Sequence, residues 1–150
     1  MSTTNELALG SARKQLSDLL DGLISRTPGA SRAMLGSNDG LKLACSSQPA
    51  DKADGMAAIA TGLYSLGQQH FRDREGGTRQ VVVEHDAGTL FVMSAGRVSA
   101  DGLSTMLAVD TTPDADPGLI GHAMETFING LDEHLVTQAR DRDRRTTVSG

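Results

Sequence analysis

The sequence predicts an α+β domain in which a five-stranded antiparallel sheet carries helices on both faces. Helical and extended segments follow in the order α-β-β-α-β-β-β-α, and runs of strands joined by short turns favour antiparallel pairing. The last three strands are continuous apolar runs rather than alternating ones, so both faces of the sheet should be covered. The chain has 150 residues, which suits one domain with its own core.

The first helix follows from apolar residues at helical spacing: Ala12, Leu16, Leu19, Leu20, Leu23 and Ile24. Pro28-Gly29 should end it, because proline cannot continue a helix and glycine permits the turn. Two short apolar runs then flank Asn38-Asp39-Gly40, a pattern that predicts a β-hairpin. We expect residues 1–10 to be a flexible lead-in, residues 11–140 to form the domain, and residues 141–150 to be a disordered polar tail.

The second helix is predicted from Asp51 to about Phe71, with Asp51 as its N-cap. Two apolar stripes cover roughly half its circumference, against about 100° for a helix with one buried face. One stripe holds mainly large residues: Met56, Ile59, Leu63, Leu66 and His70. The other holds mainly small ones: Ala53, Ala57, Ala60, Tyr64 and Gly67. We expect this helix to contact both the sheet and a partner, with the small residues at the partner.

Three further strands are predicted over residues 78–84, 89–94 and 103–109. The first two are joined by the short loop His85-Asp86-Ala87-Gly88. Asp116-Pro117 then has the pattern of an N-cap and first helical position, which predicts the last helix.

Composition limits the classes of partner. The net charge is −5, Trp is absent, and the aromatic residues are one Tyr and three Phe, whereas single-strand nucleic-acid readers stack bases on aromatics in a basic groove. We therefore expect no nucleic-acid binding and favour a protein or cationic partner. No apolar run approaches the roughly 18 residues of a membrane span, and the N-terminus lacks the pattern of a signal peptide. The expected location is the cytoplasm, without direct membrane insertion but with recruitment to the membrane by partners left open.

The patterns that could carry chemistry are incomplete. No glycine-rich phosphate loop occurs, and Ser11-x-x-Lys14 lacks the companion motifs of penicillin-binding enzymes. Cys45, the single cysteine, can form no intramolecular disulfide, and its place at the end of a strand suits a packed thiol.

The ionisable side chains give no catalytic or metal pattern either. The histidines do not combine into a four-ligand zinc set: His70, His85, His122 near Glu125, and His134. Asp110, Asp114 and Asp116 are the densest acidic group, but their spacing with Pro113 and Pro117 fits loop and capping roles. We therefore expect no catalytic residue, no cofactor and no bound metal.

Several strings resemble the roadblock (dynein light-chain-like) domain family. Residues 33–44 resemble its first hairpin, residues 57–66 its second helix, residues 79–84 and 90–93 its third and fourth strands, and residues 116–124 the entry to its last helix. The resemblance spans about residues 12–136. It is greatest to roadblock proteins of actinobacterial conservon operons, which also encode a sensor-kinase-like protein and a small GTPase.

The resemblance implies a roadblock/profilin-like fold and a non-enzymatic homodimer in which second helices and third strands pair into one continuous sheet. It also implies that this dimer regulates or scaffolds a small Ras-like GTPase in bacterial signalling, with the sensor-kinase-like protein as a further partner. The expected dimer contacts are Ala53, Ala57, Ala60, Tyr64, Arg79, Val81 and Val83. The expected GTPase contacts are Thr61, Ser65, Gln68, Gln69 and Arg72.

Two other functions are alternatives at this point. One is a small-molecule-binding sensor domain without catalysis, which would need a pocket with convergent polar groups. The other is a hydrolase that uses Cys45 or the aspartate group.

Overall fold

Residues 2–97 and 104–131, the part of the chain that the computed structural model describes, form three helices and one five-stranded sheet. The first seven elements are α1 (Ser2–Arg26), β1 (Ala30–Ser37), β2 (Lys42–Cys45), α2 (Ala50–His70), β3 (Gln80–His85), β4 (Gly88–Arg97) and β5 (Ser104–Thr111). The last helix, α3, begins at residue 117 and is helical through residue 131. The predicted class and element order are confirmed. The predicted tail at 141–150, the domain end at 140 and His134 lie outside the described residues.

The strand order across the sheet is β2-β1-β5-β4-β3, and every neighbouring pair is antiparallel. The central strand is β5, where Val109 lies opposite Ala33 of β1 on one side and Phe91 of β4 on the other. Within the described residues β3 pairs only with β4, so the other side of β3 is a free edge.

Two apolar clusters lie on opposite faces of the sheet. Side chains alternate along β5, so Leu107 and Val109 pack with α1 and α3, whereas Met106 and Ala108 pack with α2. The larger cluster joins α1 to α3 through Leu20, Leu23, Ile120 and Met124, all fully buried. The prediction that helices cover both faces is confirmed, and it explains why the strands are apolar throughout.

The first helix begins earlier than the sequence indicated. Residues 2–10 are part of α1, so the expectation of a flexible lead-in is wrong for them. The physical reason is local: the segment contains no proline, and it includes the strong helix formers Glu6, Leu7, Ala8 and Leu9. The predicted end before Pro28-Gly29 is confirmed, because α1 ends at Arg26.

The helix starts differ in how they are capped. Pro49, not Asp51, is the N-cap of α2, and no side chain caps this end. The Pro49 carbonyl oxygen instead accepts bonds from the backbone N–H groups of Lys52 and Ala53, both at 3.1 Å. Asp51 lies in the first turn, where its charge still favours the helix dipole. At α3 the predicted cap is present, because Oδ1 of Asp116 accepts a bond from the Gly118 N–H at 3.0 Å.

We predict that Gly88→Ala destabilises the β3–β4 hairpin strongly. Gly88 has a φ of 156°, and a Cβ at this position would overlap the carbonyl oxygen of Thr111. Backbone strain of this kind costs on the order of 1–3 kcal/mol, which urea denaturation would measure. The control is Gly121→Ala in α3, where a Cβ meets no atom within 4 Å and helix propensity should add about 0.8–1.0 kcal/mol. Equal unfolding midpoints for the two variants would contradict the prediction.

Candidate partner-binding surface

The small-residue stripe of α2 faces the sheet of its own chain. Ala53, Ala57 and Ala60 are buried, and Ala57 and Ala60 pack in the cluster that contains Met34 and Met106. Large side chains on the sheet leave room only for methyl groups on the helix, so α2 can lie close to the strands. The prediction that these three alanines contact a dimer partner is wrong, because they lie in the core of the protomer.

The larger stripe of α2 is the one left at the surface. Ile59 and Leu66 have 58% and 63% of their surface exposed, while Met56 and Leu63 are half-buried beside them. We call these four residues the α2 apolar flank. Two large aliphatic side chains exposed one above the other on a helix are typical of a contact surface.

Strand β3 extends this apolar surface. Val81 lies opposite Val92 and Val83 lies opposite Leu90, so both valines share the sheet face that carries α2. Val81 is half-buried against the α2 cluster, whereas Val83 is 39% exposed. The α2 apolar flank and a free strand edge therefore adjoin each other. Of the predicted dimer contacts, the structure leaves Val83 and Arg79 exposed and Tyr64 and Val81 half-buried.

The predicted GTPase contacts lie on the other flank and the outer face of α2. They differ in whether their side chains already make hydrogen bonds within the protomer. Thr61 donates its hydroxyl to the Ala57 carbonyl oxygen at 2.8 Å. Oε1 of Gln68 accepts bonds from the backbone N–H and the hydroxyl of Thr78, at 2.6 and 2.9 Å, which fastens the loop after α2. Ser65, Gln69 and Arg72 are exposed. These three are the better candidates, because their side chains need not break an internal bond to reach a partner.

Phe71 is a candidate that the sequence pattern does not single out, because the pattern indicates only the end of the second helix there. It is 52% exposed; the His70 ring stacks edge-on with its centroid 4.6 Å away, and the Arg74 guanidinium lies 5.3 Å from the ring centroid. Aromatic residues and arginine are enriched where protein partners bind. The sequence signal was available: an aromatic residue follows the last turn of a helix and precedes a run of charged residues.

The acidic group serves structural roles. Asp110 accepts bonds from Arg32 across β1 and β5, and Asp116 caps α3. The Thr112 side chain donates a hydrogen bond that lowers the pKa of Asp114. Across the described ranges, no three His, Cys, Asp or Glu side chains come together as a metal site, and no helix is long and apolar enough to span a membrane.

Comparison with known proteins agrees with this geometry. Residues 16–109 match the Roadblock/LC7 domain family model. Two crystal structures of Roadblock/LC7 domains from Streptomyces avermitilis are similar to the chain. The first is 38% identical with a TM-score of 0.70 and covers 80% of this chain and 97% of its own. The second is 31% identical with a TM-score of 0.62 and covers 77% and 97%.

A more distant structure shares the fold alone. It is MglB with a tetrameric arrangement, 17% identical with a TM-score of 0.68 and covering 85% of this chain and 91% of its own. A search of the curated proteins gives no match. The family model matches residues 16–109, and the first of these structures is 38% identical over 80% of the chain. This chain belongs to the Roadblock/LC7 domain family.

Proposed function

We propose that the chain is a non-enzymatic homodimeric regulator or scaffold that binds a small Ras-like GTPase in bacterial signalling. The observation that carries the proposal is the α2 apolar flank beside the free edge of β3. The chain also belongs to a family in which the sequence resemblance implies a GTPase partner. The proposed location is the cytoplasm, where the acidic chain meets its partner as a soluble dimer.

The dimer would be built from the exposed residues rather than from the buried alanines. In a two-fold arrangement, β3 of each protomer pairs with its copy, and the two α2 apolar flanks meet above the joined sheet. Ile59 and Leu66 lie seven residues apart on the same side of α2, so two antiparallel α2 helices that cross between Gly62 and Leu63 would place Ile59 of one protomer opposite Leu66 of its partner. The pairing would close the free edge and cover both exposed side chains. The tetrameric arrangement of the MglB neighbour supports self-association in this fold.

The GTPase would bind the part of α2 that the dimer leaves open. Once the apolar flank is covered, Ser65, Gln69 and Arg72 remain outside, and Phe71 with Arg74 lies at the same end of the helix. An exposed aromatic beside polar and charged residues is the usual composition of an interface anchor and its rim. Regulation would follow from preferential binding, because the dimer can shift the GTPase only by its difference in affinity between nucleotide states.

The operon and the further partners of the chain are proposed from the same resemblance. The cognate GTPase and a sensor-kinase-like protein would be products of the same conservon operon. Because the chain carries a net charge of −5, association with a basic GTPase surface should be fast at low salt and slower as salt screens the charges.

We predict that the double variant Ser65→Arg, Gln69→Glu weakens GTPase binding without changing the dimer. Both side chains are exposed, so the fold should tolerate the substitutions, and a loss of about 1 kcal/mol at each of the two positions would weaken binding roughly 30-fold. The small GTPase of the operon, loaded with GDP or a GTP analogue, is titrated calorimetrically against wild type and variant.

The control makes the same charge changes elsewhere. Thr126→Arg, Asn129→Glu places one added cation and one added anion on exposed positions of α3, on the opposite face of the sheet. This control should bind as wild type does. Absence of binding by wild type in both nucleotide states would disprove the proposed function, whereas full binding by the dimeric Ser65, Gln69 variant would disprove only the site.

A further inference from the structure

A cavity of about 340 Å³ lies beside the first turns of α2, on the same face of the sheet. Its lining includes Met56 and Ile59 from α2, Leu90 from β4, and Arg32 and Asp110 from the paired strands β1 and β5. Small-molecule sites begin at about 300 Å³, so the cavity has room for a compact metabolite.

One part of the cavity is apolar. Met56 and Leu90 are half-buried and belong to the margin of the α2 core cluster, while Ile59 stands exposed at the rim. Gly55 also borders the cavity, and no atom lies within 4 Å of where its Cβ would be. This position of α2 therefore adds no side chain to the mouth, where there is open space for one.

The other part of the cavity contains an ion pair whose side chains can make further hydrogen bonds. Nη2 and Nε of Arg32 both bond to Oδ2 of Asp110, at 2.6 and 3.2 Å. Among the described residues, no hydrogen bond is made by Nη1 of Arg32 or by Oδ1 of Asp110. Both side chains keep about a third of their surface open to solvent. A positively charged donor and a negatively charged acceptor thus remain available within one ion pair.

This arrangement selects for the charge pattern of a ligand. A simple carboxylate that approached Arg32 would meet the negative charge of Asp110, and a simple amine that approached Asp110 would meet the positive charge of Arg32. A molecule with both an ammonium and a carboxylate group satisfies both, and an apolar tail would pack on Met56, Ile59 and Leu90. The lining also includes Asp51 and Lys52, which together add no net charge to the cavity.

We infer that the cavity is a binding site for a small zwitterion with an apolar tail, the chemical class of the aliphatic amino acids. The site supplies the convergent polar groups that a sensor function requires, and it is independent of GTPase binding. Because Ile59 borders both the cavity and the proposed dimer contact, a ligand held there would lie next to the dimer surface.

The test uses the full-length protein and three probes of matched chain length: L-norleucine, hexanoate and pentylamine. Binding is followed by the methyl NMR signal of Met56, and light scattering records the oligomeric state in every sample. L-Norleucine at millimolar concentration should shift this signal saturably. Each single-charge probe should bind roughly tenfold more weakly, the equivalent of one lost charged hydrogen bond.

Variants of the ion pair should change the ranking of the probes. Asp110→Asn should bring hexanoate up to the affinity of L-norleucine, and Arg32→Gln should do the same for pentylamine. The control Lys42→Gln breaks a different ion pair, Lys42–Asp54, and should keep the wild-type ranking. Gly55→Leu should abolish the shift by filling the mouth while leaving the melting temperature unreduced, so the test stands even if an ion-pair variant fails to fold. No saturable shift with L-norleucine, equal affinity for all three probes, or wild-type binding by Gly55→Leu would each overturn the inference.

Discussion

Ala60→Glu should lower the free energy of unfolding by about 3–5 kcal/mol, the cost of leaving a charge uncompensated in a packed interior. Ala60 is fully buried between α2 and the sheet, in contact with the cluster that contains Met34, Val92 and Met106. A glutamate there has neither the space for its side chain nor a partner for its charge. Urea denaturation followed by circular dichroism measures the change, which is a large fraction of the about 5–15 kcal/mol of stability that domains have.

The neighbouring alanine provides the control. Ala58 is exposed on the outer face of the same helix, so Ala58→Glu adds the same charge with no burial and should stay within about 0.5 kcal/mol of wild type. If Ala60→Glu instead gave a stable folded monomer with an unchanged unfolding midpoint, the orientation of α2 described above would be wrong.

Ile59→Glu combined with Leu66→Glu should dissociate the proposed dimer while the protomer stays folded. Both side chains are more than half exposed, so their replacement costs the protomer little. In a two-fold contact each substitution occurs twice, and at about 2 kcal/mol for each contact pair the dissociation constant should rise roughly 1,000-fold. Sedimentation velocity at micromolar concentration would show a monomer in place of a dimer.

Leu119→Glu separates this effect from a general effect of surface charge. Leu119 is similarly exposed but lies in the first turn of α3, on the opposite layer. The dimer should persist in this variant. A monomeric wild-type protein, or an intact dimer in the Ile59, Leu66 variant, would show that the α2 apolar flank is not the contact.

Local patterns were sufficient to predict most elements. The apolar spacing of α1, the Asn38-Asp39-Gly40 turn and the Asp116-Pro117 helix start each depend on neighbouring residues, and the structure contains all three. At Gly40 the turn has a φ of 92°, which a glycine adopts without strain. Periodicity also revealed that α2 has two apolar stripes.

Periodicity could not determine which stripe faces the sheet. That choice depends on the size of the opposing residues, and Met34 and Met106 oppose α2 only because β1 and β5 are neighbours in the sheet. The cavity beside α2 was hidden for the same reason, since Arg32 and Asp110 come together through this strand pairing. In both cases the missing information was the order of the strands.

The central place of β5 also shapes how the chain must fold as it is synthesised. Arg32 and Asp110 face each other although they are 78 residues apart, so β1 remains without its inner neighbour until nearly the whole described domain has left the ribosome. Such long-range pairing closes a large loop before it gains any contact, which slows folding compared with a helical protein of equal size. During that delay the β1–β2 hairpin and the β3–β4 hairpin each present an open side to other nascent chains. The last strand to be synthesised is therefore the one that joins the two hairpins into a single sheet.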